Sequence, residues 1–240
     1  MKRVIVFVLV AALVNTACAY AAKDKVERSF KLEYFDELDV TSAIKVSLTQ
    51  GKENSIVIRA EEDVIDYVTF RINRDNELEI FIDQTFFDKV RRGFKGVGEV
   101  EVDLTFTTLK EINASAASYV ESTETLQLNR LSIEATSASK VVLDLNAGEV
   151  DAEATSAATI ILKGKADSFD AEASSAAEIK ASDFIVSRAE LEASSAGKIK
   201  VRVNGVAEAE ASSAGNIRIY GDAQLRRVEA NSGGSVKLDK

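Results

Sequence analysis

Histidine, proline and tryptophan are missing from this 240-residue chain, and cysteine and methionine occur once each. Without His there is no Ser-His-Asp triad, no imidazole proton shuttle and no imidazole metal ligand. A single Cys cannot close an intramolecular disulfide, form a CxxC redox pair or build a thiolate zinc site. Positive charge is also short. Thirty Lys and Arg stand against 39 Asp and Glu, a net charge of −9, so nothing global attracts phosphates and no nucleic-acid partner is expected. Apolar residues make up 46% of the chain, which suits a packed core and argues against disorder. The length allows one or two domains.

The N-terminus reads as an export signal over residues 1–22. Lys2 and Arg3 precede an apolar run from Val4 to Val14, and small residues follow at Ala17, Ala19, Ala21 and Ala22. That order is a charged region, an apolar region and an A-x-A cleavage site. The run is shorter than the ~20 apolar residues that span a bilayer. Cleavage after Ala19 or Ala21 removes Cys18. A second reading cleaves before Cys18 and lipidates it, which is the one route here to membrane anchoring. Both readings place the mature chain in the periplasm, on the outer-membrane surface or outside the cell.

From residue 111 onward the chain repeats. Glu134-Ala-Thr-Ser-Ala-Ser-Lys-Val141, Glu153-Ala-Thr-Ser-Ala-Ala-Thr-Ile160 and Glu172-Ala-Ser-Ser-Ala-Ala-Glu-Ile179 are followed by copies beginning at Glu192, Glu210 and Glu229, with an earlier one at Asn113. Successive copies lie 21, 19, 19, 20, 18 and 19 residues apart. Apolar residues alternate on both sides of each motif, as in Leu131, Ile133, Ala135 and Ile199, Val201. Period two means strands. Each repeat then has two strands and two corners. One corner is the Ser-Ser-Ala-Ala motif, and the other carries turn residues such as Asn146-Ala-Gly148, Gly164, Asn204-Gly205 or Gly221-Asp222. Stacking like over like predicts an all-β solenoid with coils ~4.8 Å apart. The small column Ala135, Ala154, Ala173, Ala193, Ala211, Ala230 points inward beside the corner, where the two sheets pinch together.

Residues 23–110 also alternate as strands, for example Leu38, Val40, Ile44, Val46 and Leu48. They are expected to form larger, irregular coils that cap the regular stack of residues 111–240; a separate β-sandwich is the competing reading. Asp88 to Gly98, with its Gly and basic residues, reads as an exposed loop. Phe81, Phe86, Phe87 and Phe94 are the candidates for an exposed aromatic surface.

Outward positions fall into charged columns. Glu134, Glu153, Glu172, Glu192, Glu210 and Glu229 precede the Ala column, and Asp151, Asp170, Glu190 and Glu208 stand two residues earlier. The other sheet carries Lys180, Lys200, Arg218 and Lys237 in its later coils. Like charges at this spacing repel by roughly 1 kcal/mol per neighbour in water. Ca²⁺ or a basic partner surface would relieve that repulsion. The plainer reading is a solvated face that keeps the rod soluble. The chain lacks both the EF-hand loop and the glycine-aspartate nonapeptide of calcium-binding β-rolls.

Phe35-Asp-Glu-Leu-Asp-Val40, Ile44-Lys-Val-Ser-Leu-Thr-Gln-Gly51, Leu78-Glu-Ile-Phe-Ile82 and Leu109-Lys-Glu-Ile112, with the serial small-residue corners, resemble the head GIN domain family of auto-transporter adhesins. The resemblance implies a right-handed parallel β-helix of the pectin-lyase type, an envelope location and a role in adhesion, with no catalytic residues to carry over. The family favours Gly at the second corner position, where this chain has Ser137, Ser156, Ser175, Ser195, Ser213 and Ser232. Those corners must either keep φ negative or offset the strain of a positive φ.

No enzyme and no cofactor are expected. Carboxylates abound, but they lie in regular columns on short turns, and no His or Ser-x-x-Lys accompanies the serines. The expectation is an exported envelope or surface protein that binds a surface glycan or a protein ligand, with a homo-oligomer as a further option. A structural or stress-linked periplasmic protein-binding module is the alternative, and a polysaccharide-acting β-helix enzyme is a more distant one.

Overall fold

The small-residue motifs recur as tight turns, and the turns stack. The computed structural model describes residues 25–91 and 98–239; the expected export signal and Phe94 lie outside the described residues. The strands are β1 (Lys25–Lys31), β2 (Glu37–Val40), β3 (Lys45–Gln50), β4 (Ser55–Glu61), β5 (Val68–Ile72), β6 (Glu77–Ile82), β7 (Glu101–Phe106), β8 (Glu111–Ala114) and β9 (Tyr119–Ser122). They continue as β10 (Leu126–Ala135), β11 (Lys140–Ala154), β12 (Thr159–Ala173), β13 (Glu178–Ala193), β14 (Lys198–Ala211), β15 (Asn216–Tyr220), β16 (Gln224–Ala230) and β17 (Ser235–Asp239). The molecule is a β-solenoid of about 7 turns with about 19 residues between parallel bridges.

One parallel face runs β6-β2-β8-β10 and on through the C-terminal halves of β11 to β14 to β16. The other runs β7-β3-β9 and on through the N-terminal halves of β11 to β14 to β15 and β17. Chain order and stacking order therefore differ at the start. The β6–β7 coil lies outside the β2–β3 coil, which sits between it and β8–β9. Beyond β7, β4 and then β1 add antiparallel, and β5 adds antiparallel to β6, which covers this end.

Buried apolar residues from Phe35 to Ile219 form one continuous core. The alternation read in the sequence matches the burial of the strands, as in the buried Ile133 and Ala135 beside the exposed Glu134. Inward Ala residues are fully buried from Ala135 to Ala211, but Ala230, in the last coil, is exposed. The 20-residue spacing between Glu172 and Glu192 is absorbed by register shifts after Ile161 and Ala181. There Phe184 turns inward and meets Phe169 edge-on, with ring centroids 5.5 Å apart.

Three local expectations change. The second corner is a bend, not a break: β11 pairs with β12 from Lys140 through to Ala154. Gly164 makes the bend there with φ 100, and a Cβ on it would stand 2.1 Å from the Leu145 carbonyl oxygen. Residues Gln84–Arg91 form helix α1, where the sequence suggested a loop from Asp88. Phe86 on that helix is fully buried and packs on Tyr67 at 5.3 Å, which removes it from the exposed aromatics. Phe87 remains 36% exposed.

The Ser corners take the strained option. Ser137 and Ala138 have φ 53 and 61, and the pairs at 156/157, 175/176, 195/196 and 213/214 repeat this. Two consecutive left-handed residues cost energy for non-glycine side chains. Stacking offsets it: the N–H of Ala138 donates to the Ser156 carbonyl at 3.0 Å, Ala157 to Ser175 at 3.1 Å and Ala176 to Ser195 at 3.0 Å. The compensation is thus backbone to backbone between neighbouring coils.

Candidate functional site

Stacking in register turns sequence repeats into lines of charge. Glu134, Glu153, Glu172, Glu192, Glu210 and Glu229 are successive cross-strand partners on one outer face. The line continues through Asn113, Asp39 and Glu79 into the first coils. A second line, two residues earlier, runs Glu77, Glu37, Glu111, Ser132, Asp151, Asp170, Glu190, Glu208 and ends on Arg227. A groove of about 470 Å³ follows both lines from Glu111 to Arg227.

The crowding of carboxylates shows in their proton affinities. Burial, with the charges of Asp151, Glu190 and Glu149, pushes the Asp170 carboxyl up; Arg130 opposes it. Burial, with Glu153 and Glu192 on either side, raises Glu172. Asp39 rises through burial and the charges of Glu77, Glu79 and Glu134. The oxygens of Glu149, Asp151 and Asp170 lie within 4.8 Å of one another. Arg130 sits on this cluster: its Nη2 is 2.7 Å from Asp151 and its Nη1 3.4 Å from Glu149. At the far end, Arg227 Nε donates to Glu229 at 2.8 Å.

The opposite face is less cationic than its sequence suggests. Lys180, Lys200, Arg218 and Lys237 do line up. Glu178, however, takes both Lys180 and Lys200 at 3.2 and 3.0 Å, and Arg218 meets Asp239 at 3.3 Å. Burial pushes Glu178 up, but hydrogen bonds from Lys200 and Lys180 outweigh it and hold the carboxyl low. In the earlier coils Lys45 and Lys140 flank the Tyr119 ring at 5.6 and 5.4 Å.

Sequence reasoning found both carboxylate lines in the repeats but missed their extension into the first coils and the two Arg residues that attend them. The extension was visible as the same spacing in Glu37-x-Asp39, Glu77-x-Glu79 and Glu111-x-Asn113. Arg130 had no such signal, since it reaches Asp151 only across a coil.

Residues 34–223 match the family described as "putative auto-transporter adhesin, head GIN domain", and the chain belongs to it. No curated protein matches the sequence. Among solved structures, a "putative adhesin" of Bacteroides fragilis is similar over 91% of this chain and 98% of its own, at 17% identity and TM-score 0.80. A "putative adhesin" of Parabacteroides distasonis covers 90% and 97% at 18% identity and TM-score 0.71. A "putative lipid binding protein" of the same organism covers 90% and 97% at 19% identity and TM-score 0.67. At these identities the likeness is one of fold.

Proposed function

We propose that this is an exported, non-catalytic surface-binding protein of the adhesin type, and that its acidic groove takes a cationic segment of a protein partner. The observation that carries this reading is Arg130, whose guanidinium lies across Asp151 and Glu149 of the neighbouring coil. It is an internal example of the ligand chemistry: a planar cation matches a pair of carboxylates as a point charge does not. Lined-up carboxylates repel at neutral pH, and an incoming cation lowers that repulsion. Family membership supports the adhesin class, and the charged sequence before Val4, with the small residues after Val14, supports export.

Titration calorimetry of the mature chain with an Arg-rich dodecapeptide tests the groove. Binding at low salt is expected, weakened at least about tenfold by Asp170→Asn/Glu172→Gln/Glu192→Gln together and by raised salt. No binding at low salt, or binding indifferent to the triple variant, overturns the groove reading. Ca²⁺ is the second reading, because three carboxylates converge at Asp170. It would replace the first if Ca²⁺ raised the melting temperature by several degrees while the peptide did not bind. Export is tested separately by fractionating cells that produce the full chain. Protein found only in the cytosol, with its first 22 residues intact, refutes it.

A further inference from the structure

The two ends of the solenoid are finished differently. At the β6–β7 end, antiparallel β1, β4 and β5 cover the last parallel coil. At the other end, β16 pairs with β14 and β17 with β15, and among the described residues no strand lies beyond them. Among the described residues their outer edges have no backbone partner, and such edges invite another strand. The inward residues of this coil are bared with them. Leu225 is 38% and Val228 45% exposed, whereas their partners one coil back, Ala207 and Ala209, are buried.

We propose that this end pairs with the same end of a second copy of the chain, β16 against β16 in antiparallel register about Val228. A two-fold axis makes such a contact self-complementary and closes it at two. The charges select the register. Antiparallel pairing about Val228 sets Arg227 of each copy opposite Glu229 of the other on the outer face, while the two Val228 side chains meet on the inner face. The same axis brings Val236 and Leu238 of β17, which continue the inward columns of Ile217 and Ile219, over their counterparts. Arg227 and Glu229 already pair within one strand, so the dimer shares existing charges between copies and buries no lone one. The edge is used up, and the exposed Leu225 and Val228 lose their contact with water.

Analytical ultracentrifugation of the mature chain across a concentration series reads this directly. A monomer–dimer equilibrium with no larger species is expected. Arg227→Glu sets Glu against Glu on both sides of the axis and weakens the dimer about tenfold or more. The double variant Arg227→Glu/Glu229→Arg restores opposite charges and returns dimerisation to within about threefold of the parent. Both substitutions lie on the exposed surface, and thermal melts of dilute protein verify that each variant is folded. A monomer at every concentration overturns the proposal. So does a series of species beyond the dimer, which would mean head-to-tail stacking, and so does a folded double variant that fails to recover.

Discussion

Arg130 Nη2 lies 2.7 Å from Asp151 Oδ2, and the two residues stand on adjacent coils of the same face. The contact supplies a counter-charge where the carboxylate lines are densest, and it lowers the proton affinity of Asp170 one coil further on. Replacing Arg130 with Gln should therefore raise the Asp170 pKa further. Carboxyl carbon chemical shifts followed through an NMR pH titration measure it. An unchanged Asp170 midpoint would mean that solvent already screens the pair.

The acidic face makes the protein sturdier in mild acid. Asp170, Glu172, Asp39 and Glu37 have raised pKa values in the fold, so the folded chain binds protons there before the unfolded chain does. Stability then rises as pH falls from neutral through these raised values toward the ordinary carboxylate range near about 4. Asp36 works the other way. The Lys110 ammonium beside it holds its carboxyl low, and Glu178 is also low. What these two contribute is complete above the ordinary range and is lost below it. Thermal melts from pH 7.5 to 3 should pass through a maximum on the acid side of neutrality. Stability that declines steadily from pH 7 would contradict the opposed shifts.

The corner serines offer a route to a more stable variant. Ser175 is held at φ 51, a conformation glycine adopts without the Cβ penalty. Ser175→Gly should stabilise the fold by about 0.5–1 kcal/mol, because the strain removed exceeds the added freedom of the unfolded chain. Chemical denaturation of the two proteins decides this. A lower midpoint for the variant would show that the Ser hydroxyl contributes more than the strain costs.

Crowding at the same corners predicts the reverse for larger side chains. A Cβ at Gly197 would stand 2.0 Å from the Ala173 carbonyl oxygen, so Gly197→Ala must push two coils apart and cost about 1–3 kcal/mol. Ala173→Leu, in the fully buried column, overpacks the same pinch at a similar cost of about 1–3 kcal/mol. Ala177, at the equivalent corner position one coil before Gly197, is buried as Ala. Its replacement by Gly loses only about 0.5–1 kcal/mol. Urea midpoints in the order parent, Ala177→Gly, Gly197→Ala would match this geometry, and a Gly197→Ala protein as stable as the parent would refute it.

Much of the solenoid was legible because its periodicity is local. Ile133 and Ala135 alternate with Glu134, and each corner motif repeats the one before it, so coil length and the two carboxylate lines could be read without coordinates. The first coils were harder. Phe86 looked like one of several exposed aromatics until α1 turned it against Tyr67. The placement of β6–β7 outside β2–β3 rests on pairings between distant residues, such as Val40 with Ile80, that no local pattern announces. The sign of φ at Ser137 was equally undecided, since its compensating bond comes from the next coil.

By itself the sequence determined the repeat, the inward Ala column and the acidic character of one face, because a period of two with like residues at each corner admits few other packings. Only the tertiary structure decided how the coils are ordered, which carboxylates gain proton affinity, where Arg130 lands and which end is left open. These depend on which strands become neighbours across a coil, and backbone hydrogen bonding between coils is indifferent to the side chains by which a sequence is read.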